Sequence, residues 1–72
     1  MKMNNAIFDV GANNGLDGLG FALLNPTYNV YAFEANPDLI SEIIKNKKKI
    51  EIFFKLELKN YEIINKAISD FD

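Results

Sequence analysis

The chain contains no cysteine and no histidine, and all eight of its basic residues are lysine. Without cysteine it has no disulfide bonds or thiolate metal sites, and without histidine it has no zinc site or histidine-based acid–base mechanism. We therefore expect no metal site. The net charge of −2 predicts no generally basic face, so nucleic acid is not an expected partner.

Long apolar runs are absent as well. The longest, such as Phe21-Ala22-Leu23-Leu24, fall far short of the ~20 residues that a membrane-spanning helix needs. The first five residues lead directly into a short apolar segment, without the longer hydrophobic region of a secretion signal. We therefore expect a cytoplasmic protein with no membrane partner. The 72 residues, 49% of them hydrophobic, predict one small folding unit.

The most informative segment is an apolar strand followed by a loop with glycine at both ends. Residues 5–10 predict a strand buried on both faces, and the loop runs from Gly11 to Gly15. A strand that turns sharply into a helix needs residues that tolerate positive φ, as glycine does. The N-terminus of the following helix offers free N–H groups to an anionic ligand group. The loop therefore predicts a binding site for a carboxylate or a phosphate.

The rest of the chain alternates between helix and strand. The predicted elements are a strand over 5–10, a helix over 16–24, a strand over 28–34, a helix from Asn36-Pro37-Asp38 to about Leu58, and a strand over 61–68. Residues 50–58 also alternate between apolar and polar types, which favours a strand. We adopt the helix, because it keeps the order of the whole unit regular.

This order predicts an α/β fold with parallel strands joined by right-handed crossovers. With the first strand central, the strand order is 3-2-1, which is half of a doubly wound, Rossmann-like sheet. We expect residues 1–72 to be an incomplete N-terminal part that stops before a fourth strand. The first strand would then be an open edge, and such an edge invites self-association or pairing with a complementary fragment.

Asp9 indicates which ligand the loop binds. An acid two residues before the first glycine is awkward beside a pyrophosphate but suits a ligand with an ammonium group. S-adenosylmethionine carries an ammonium, a carboxylate and a sulfonium near one end. The dinucleotide fingerprint G-x-G-x-x-G is not met from Gly11, because Asn13 and Asn14 occupy its third and fourth places. These two residues also tolerate left-handed turn geometry, so a ligand role for their side chains is not required.

Glu34 ends the second predicted strand, nineteen residues after Gly15. A carboxylate at this place can accept hydrogen bonds from both ribose hydroxyls, a role shared by NAD and S-adenosylmethionine sites. It indicates an adenosine cofactor without choosing between the two.

Three ordered motifs carry a more specific resemblance. They are Phe8-Asp9-Val10-Gly11-Ala12-Asn13-Asn14-Gly15, Val30-Tyr31-Ala32-Phe33-Glu34-Ala35-Asn36-Pro37 and Asn65-Lys66-Ala67-Ile68-Ser69-Asp70. Together they resemble the opening of an FkbM-type methyltransferase, a class I enzyme that uses S-adenosylmethionine. Ala35 stands where that family usually has proline.

The resemblance implies O-methyl transfer to a small molecule or sugar. It implies that Asp9, Gly11, Asn13 and Gly15 surround the methionine end of the cofactor, that Glu34 holds the ribose, and that the segment around Asp70 lies near the adenine. It identifies no catalytic residue, because the family's substrate-binding segments would follow Asp72.

Each candidate residue also has a plain structural interpretation. Asp9 would brace the turn, the two glycines would mark only a tight turn, Glu34 would be a solvated acid at a strand end, and Asp70 would serve turn chemistry. At the level of the whole chain, one alternative is a non-catalytic fragment that acts by assembly with a complementary chain. A weaker alternative is a dinucleotide-binding module.

Overall fold

A computed structural model describes residues 5–67 and residue 69. Its five elements are β1 (Ala6–Val10), α1 (Leu16–Leu24), β2 (Asn29–Phe33), α2 (Pro37–Phe54) and β3 (Tyr61–Ile64). The strands form one parallel sheet with β2 between β1 and β3. The α/β fold and the predicted 3-2-1 strand order are confirmed.

Both helices pack on the same face of the sheet. The strand positions on this face are Val30 and Ala32 of β2 with their β3 neighbours Tyr61 and Ile63. Helix residues complete the core that they form; its buried members are Ala12, Leu19, Ala22, Val30, Ala32, Ile43, Leu58 and Tyr61. Two right-handed crossovers that advance in the same direction across a sheet place both helices on one side. The fold is therefore two layers, with the core between them.

The opposite face of the sheet carries apolar side chains that remain accessible. Phe8 is 61% exposed and Val10 is 55% exposed, although the Phe8 ring lies 5.7 Å from the ring of Tyr31. The prediction that β1 is buried on both faces is therefore wrong. Among the residues that the structure describes, no element covers this face and none pairs with the outer edge of β1.

Helix α2 ends at Phe54, four residues before the predicted Leu58. Lys55 adopts a left-handed conformation with φ of 55°, and the Leu56 N–H donates to the Glu51 carbonyl at 3.1 Å. The Glu51 carboxylate then accepts the N–H of Leu58 at 2.8 Å. These bonds replace a further helical turn and direct Leu58 into the core, away from the helix axis.

The strand alternative for residues 50–58 is not formed, because the helix continues through its first five residues. Strand β3 is shorter than predicted and ends at Ile64. The Lys66 N–H donates to the Ile64 carbonyl at 2.9 Å, which turns the chain immediately after the strand. The predicted strand end, Ile68, lies outside the described residues. In the described part of the chain, neither helix is both long enough and apolar enough to cross a membrane.

Candidate functional site

The loop between β1 and α1 has the backbone that its glycines predict. The φ angles are 66° at Gly11, 60° at Asn13 and 81° at Gly15, all in the left-handed region. The N–H groups of Gly11 and Ala12 both donate to the Phe33 carbonyl, at 2.9 and 3.0 Å. The loop is therefore bound to the carboxyl end of β2. Its left-handed positions are occupied by glycine and asparagine, the residues that adopt positive φ most readily.

Glu34 follows β2 and contacts this loop directly. Its Oε1 accepts the Asn13 N–H at 2.7 Å, and its Oε2 accepts the Asn36 N–H at 3.1 Å. The residue is only 9% exposed, so both hydrogen bonds are largely shielded from solvent. The structure thus brings together the predicted ribose acid and the predicted methionine loop. A carboxylate has about four lone-pair positions, so two backbone donors leave it able to accept further bonds.

Asp9 occupies a different place, beneath the first turns of α1. A Cβ atom at Gly18 would lie 2.6 Å from the Asp9 Oδ2, so only glycine leaves room for this carboxyl. Partial burial raises the pKa of Asp9, and the negative charge of Asp17 raises it further. Within the described part of the chain, no hydrogen bond joins the Asp9 side chain to the loop or to Glu34.

Gly15 is required for packing as well as for its φ angle. A Cβ atom there would lie 3.0 Å from two side-chain atoms of Ile43 and 3.1 Å from the Tyr61 hydroxyl oxygen. Tyr61 therefore reaches from β3 to the underside of the loop. The sequence does not predict that Tyr61 lies next to the loop, because an aromatic residue at a strand position indicates only packing in the sheet.

The Tyr61 hydroxyl is buried without a hydrogen-bond partner, the one such side-chain atom found in the described residues. Burial raises the pKa of Tyr61, and the nearby charge of Asp9 adds to the increase. A buried donor without an acceptor is costly. The Tyr61 hydroxyl and the Asp9 carboxyl are thus two polar groups in unfavourable surroundings beneath the start of α1.

Asn14 braces the loop from the outside. Its Oδ1 accepts the Leu16 N–H at 3.1 Å, and its carbonyl accepts the Asn46 side-chain amide at 2.8 Å. Gly15, the N-cap residue of α1, supplies no side-chain cap. The sequence interpretation of Asn14 as a turn residue agrees with these contacts.

The outer side of the loop is open. A Cβ atom at Gly11 would meet no heavy atom within 4 Å, so a ligand can approach the backbone there without a steric barrier. The remaining candidate, Asp70, lies outside the described residues. In the part of the chain that the structure covers, no group of three or more acidic residues is arranged to hold a metal ion.

No protein-family model matches the chain, and no curated protein matches it.

Proposed function

We propose that the chain binds S-adenosylmethionine as the cofactor-binding part of an FkbM-like methyltransferase. The observation that carries this proposal is the 2.7 Å hydrogen bond from the Asn13 N–H to the Glu34 carboxylate. It places the acid after β2 beside the glycine loop after β1. An adenosine cofactor needs these two features side by side at the carboxyl ends of adjacent parallel strands.

Each candidate residue has a stated part in this proposal. Gly11, Asn13 and Gly15 provide a backbone that a ligand can approach closely, and Glu34 accepts hydrogen bonds from the ribose hydroxyls. Asp9, beneath the first turns of α1, would attract the ammonium group of the ligand, a role that rests on the sequence pattern. Its carboxylate is partly buried and repelled by Asp17, so a nearby positive charge would stabilise it strongly. Asp70 near the adenine rests on the family resemblance alone.

The chemistry would be transfer of the sulfonium methyl group to an oxygen atom of a small molecule or sugar. The cofactor supplies that reactivity when bound. The chain's own residues would orient the cofactor and complement its charges. No described residue is assigned as a general base.

A specific observation also favours assembly without catalysis. The sheet presents accessible Phe8 and Val10 on one face, and large exposed apolar surfaces on a folded chain are typical of interaction sites. The dinucleotide-binding alternative has weaker support, because Asn13 and Asn14 interrupt its fingerprint.

Calorimetric titration of the chain with S-adenosylhomocysteine tests the cofactor proposal. We expect saturable binding, weakened ~10-fold or more in Glu34→Gln because a charged acceptor of ribose hydroxyls is lost. Glu62→Gln is the matched control: Glu62 is an exposed strand acid remote from the loop, and its replacement leaves affinity unchanged. Circular dichroism establishes that both variants fold.

A second variant separates cofactor binding from the support of the loop. Asp9→Asn removes no hydrogen bond of the loop, yet it should weaken binding by removing the charge opposite the ammonium group. Equal affinity of wild type, Glu34→Gln and Asp9→Asn would contradict the proposal. Binding of NADH in preference to S-adenosylhomocysteine would favour the dinucleotide alternative.

A further inference from the structure

Among the residues that the structure describes, nothing pairs with the outer edge of β1, so its backbone groups are free there. The Asn29 N–H donates to the Asn5 carbonyl, and the Gly11 N–H donates to the Phe33 carbonyl. Because backbone groups alternate in direction along a strand, those of Ala6, Phe8 and Val10 point away from β2. This five-residue edge contains no lysine, proline or bulge, and Asp9 is its one charged residue. Lysine, proline, bulges and inward-pointing charges are the features by which edge strands usually avoid pairing with other chains.

The outer edge of β3 is free in the same way. The Val30 N–H donates to the Asn60 carbonyl, and the Glu34 N–H donates to the Ile64 carbonyl. Alternation therefore points the backbone groups of Tyr61 and Ile63 away from the sheet. The two edges lie on opposite sides of one parallel sheet, so they can join each other in a continued parallel sheet.

The grooves beside these edges carry opposite charges. The groove between β1 and α1, here called the acidic groove, is lined by apolar side chains together with Asp9 and Asp17. The groove between β3 and α2, here called the lysine groove, is lined by four lysines and two glutamates around Ile44 and Ile63. One of those glutamates, Glu51, is already paired with Lys47 at 3.0 Å. The unpaired charge of the lysine groove is therefore mainly positive.

All four lysines of this groove come from one basic segment of the chain. Residues 45–59 contain six lysines and two glutamates. The opposite charges of the two grooves steer the lysine groove of one molecule toward the acidic groove of another.

We propose that the chain associates head to tail with further copies of itself, the β1 edge of one copy pairing in parallel with the β3 edge of the next. In the register of the sheet, Ile7 and Tyr61 lie opposite the same β2 residue, Val30, and Asp9 and Ile63 lie opposite Ala32. If the next copy continues this register, its Ile7 covers the apolar floor of the lysine groove that it pairs with. The charges of Asp9 and Asp17 then approach its rim.

Lys45 lines the lysine groove at that rim. Its side chain is 68% exposed, and its ion pair with Glu42 is long, at 3.8 Å, so it is free to turn toward a second copy. Pairing of two β1 edges about a two-fold axis would instead bring two acidic grooves together. Charge therefore favours the heterologous arrangement, which is open-ended. This inference does not depend on the proposed cofactor site.

Sedimentation equilibrium of the full chain, at low and high salt, tests the proposal. We expect the average mass to rise with protein concentration at low salt and to fall at high salt. Asp17→Lys and Lys45→Glu should each weaken association by ~5–10-fold, because an attractive exposed charge pair becomes a repulsive one. Lys49→Glu is the matched control: it makes the same charge change on an exposed position of α2 outside the lysine groove, and it should have a smaller effect.

Mixing the two variants identifies the interface. An equimolar mixture of Asp17→Lys and Lys45→Glu chains should recover the association that each lacks alone, because each acidic groove again meets a complementary lysine groove. Circular dichroism establishes that both variants fold. A wild type that stays monomeric at high concentration and low salt overturns the proposal. Association that ignores both substitutions overturns it too and indicates the exposed sheet face or a β1–β1 pair.

Discussion

The two helices begin in opposite ways, although both follow a strand of the same sheet. Helix α2 begins with Asn36, Pro37 and Asp38, and the Asn36 side chain accepts the Asp38 N–H at 2.9 Å. Helix α1 begins at Gly15, which has no side chain to cap it. The α2 start is complete within its own sequence. The α1 start receives one local bond, from the Leu16 N–H to the Asn14 side chain, and otherwise packs against residues from other elements.

Those other elements place unfavourably buried polar groups under α1. The Tyr61 hydroxyl is buried there without a partner in the described part of the chain, and the charge of Asp17 acts on the Asp9 carboxyl. Local strain and orphaned polar groups concentrate where a protein binds something. Under the proposed function, we expect α1 to face the ligand and α2 to have a structural role alone. The predictions below test this distinction.

The largest effect is expected at Gly15. Gly15→Ala forces a side chain into positive φ and against Ile43 and the Tyr61 hydroxyl, so we expect a loss of about 3 kcal/mol in the free energy of unfolding. Gly11→Ala is the matched control, with positive φ but open space around it, and it should cost about 1 kcal/mol. Urea denaturation measures both. Equal losses would mean that packing beneath α1 is unimportant.

At the start of α2, Asn36→Ala removes the side-chain acceptor for the Asp38 N–H. We expect a loss of about 1 kcal/mol in unfolding free energy and no change in S-adenosylhomocysteine affinity. Asn36→Asp keeps an acceptor at the same place and should retain most of the stability. A loss of ligand affinity in Asn36→Ala would remove the distinction between the two helix starts.

Unlike the two preceding substitutions, Tyr61→Phe should stabilise the fold. It removes a buried hydroxyl that has no partner among the described residues, so we expect unfolding free energy to rise by up to about 1 kcal/mol. Tyr31→Phe, at a partly buried strand position, should change little. Thermal and urea unfolding of the two variants give the comparison. A destabilised Tyr61→Phe would show that the hydroxyl has a bonding role.

The smallest effect is the pH dependence of Asp9. Its folded-state pKa lies above the ordinary value of 3.8, so the folded protein binds the proton more readily than the unfolded chain. The ionised carboxyl therefore reduces stability at neutral pH, and this cost disappears as the pH falls through the folded-state pKa. Asp9→Asn should be more stable than wild type by about 0.5 kcal/mol at pH 7, with the difference vanishing in acid.

Glu51 provides the opposite control for that measurement. The Leu58 N–H and then Lys47 hold its pKa below the ordinary value of 4.5. Its carboxylate therefore stabilises the fold above that pH, and the contribution is lost as the pH falls through the lower folded-state pKa. Glu51→Gln should be less stable than wild type at pH 7. A stability difference for Asp9→Asn that follows the Glu51→Gln pattern would contradict the assignment at Asp9.

Much of the fold was predictable because local signals agreed with one another. Alternating strands and helices, the Asn36 cap and the glycines at the β1–α1 turn predicted the element order and the strand order. The end of α2 was not predictable in the same way. Apolar residues at 50, 54 and 58 continue a helical stripe, yet the bonds of the Glu51 carbonyl and carboxylate to Leu56 and Leu58 end it.

The candidate site was predictable in its loop and in Glu34, since residue type and spacing restrict both. The part beneath α1 was not. Gly18 predicts only a weak point in a helix, and its actual role is to leave room for Asp9. Tyr61 predicts only strand packing, because nothing near it in the sequence indicates that its hydroxyl lies behind Gly15.

By itself, the sequence determined the order of the elements, the left-handed turn residues and the position of the acid after β2. These depend on backbone sterics, caps and hydrophobic periodicity, which act over a few residues. Only the tertiary structure decided that Glu34 binds the loop and that the grooves beside the two sheet edges carry opposite charges. It also decided that, within the described part of the chain, the Tyr61 hydroxyl has no partner and one sheet face is uncovered. These depend on packing between segments separated by twenty or more residues, where the geometry of the sheet selects which side chains meet.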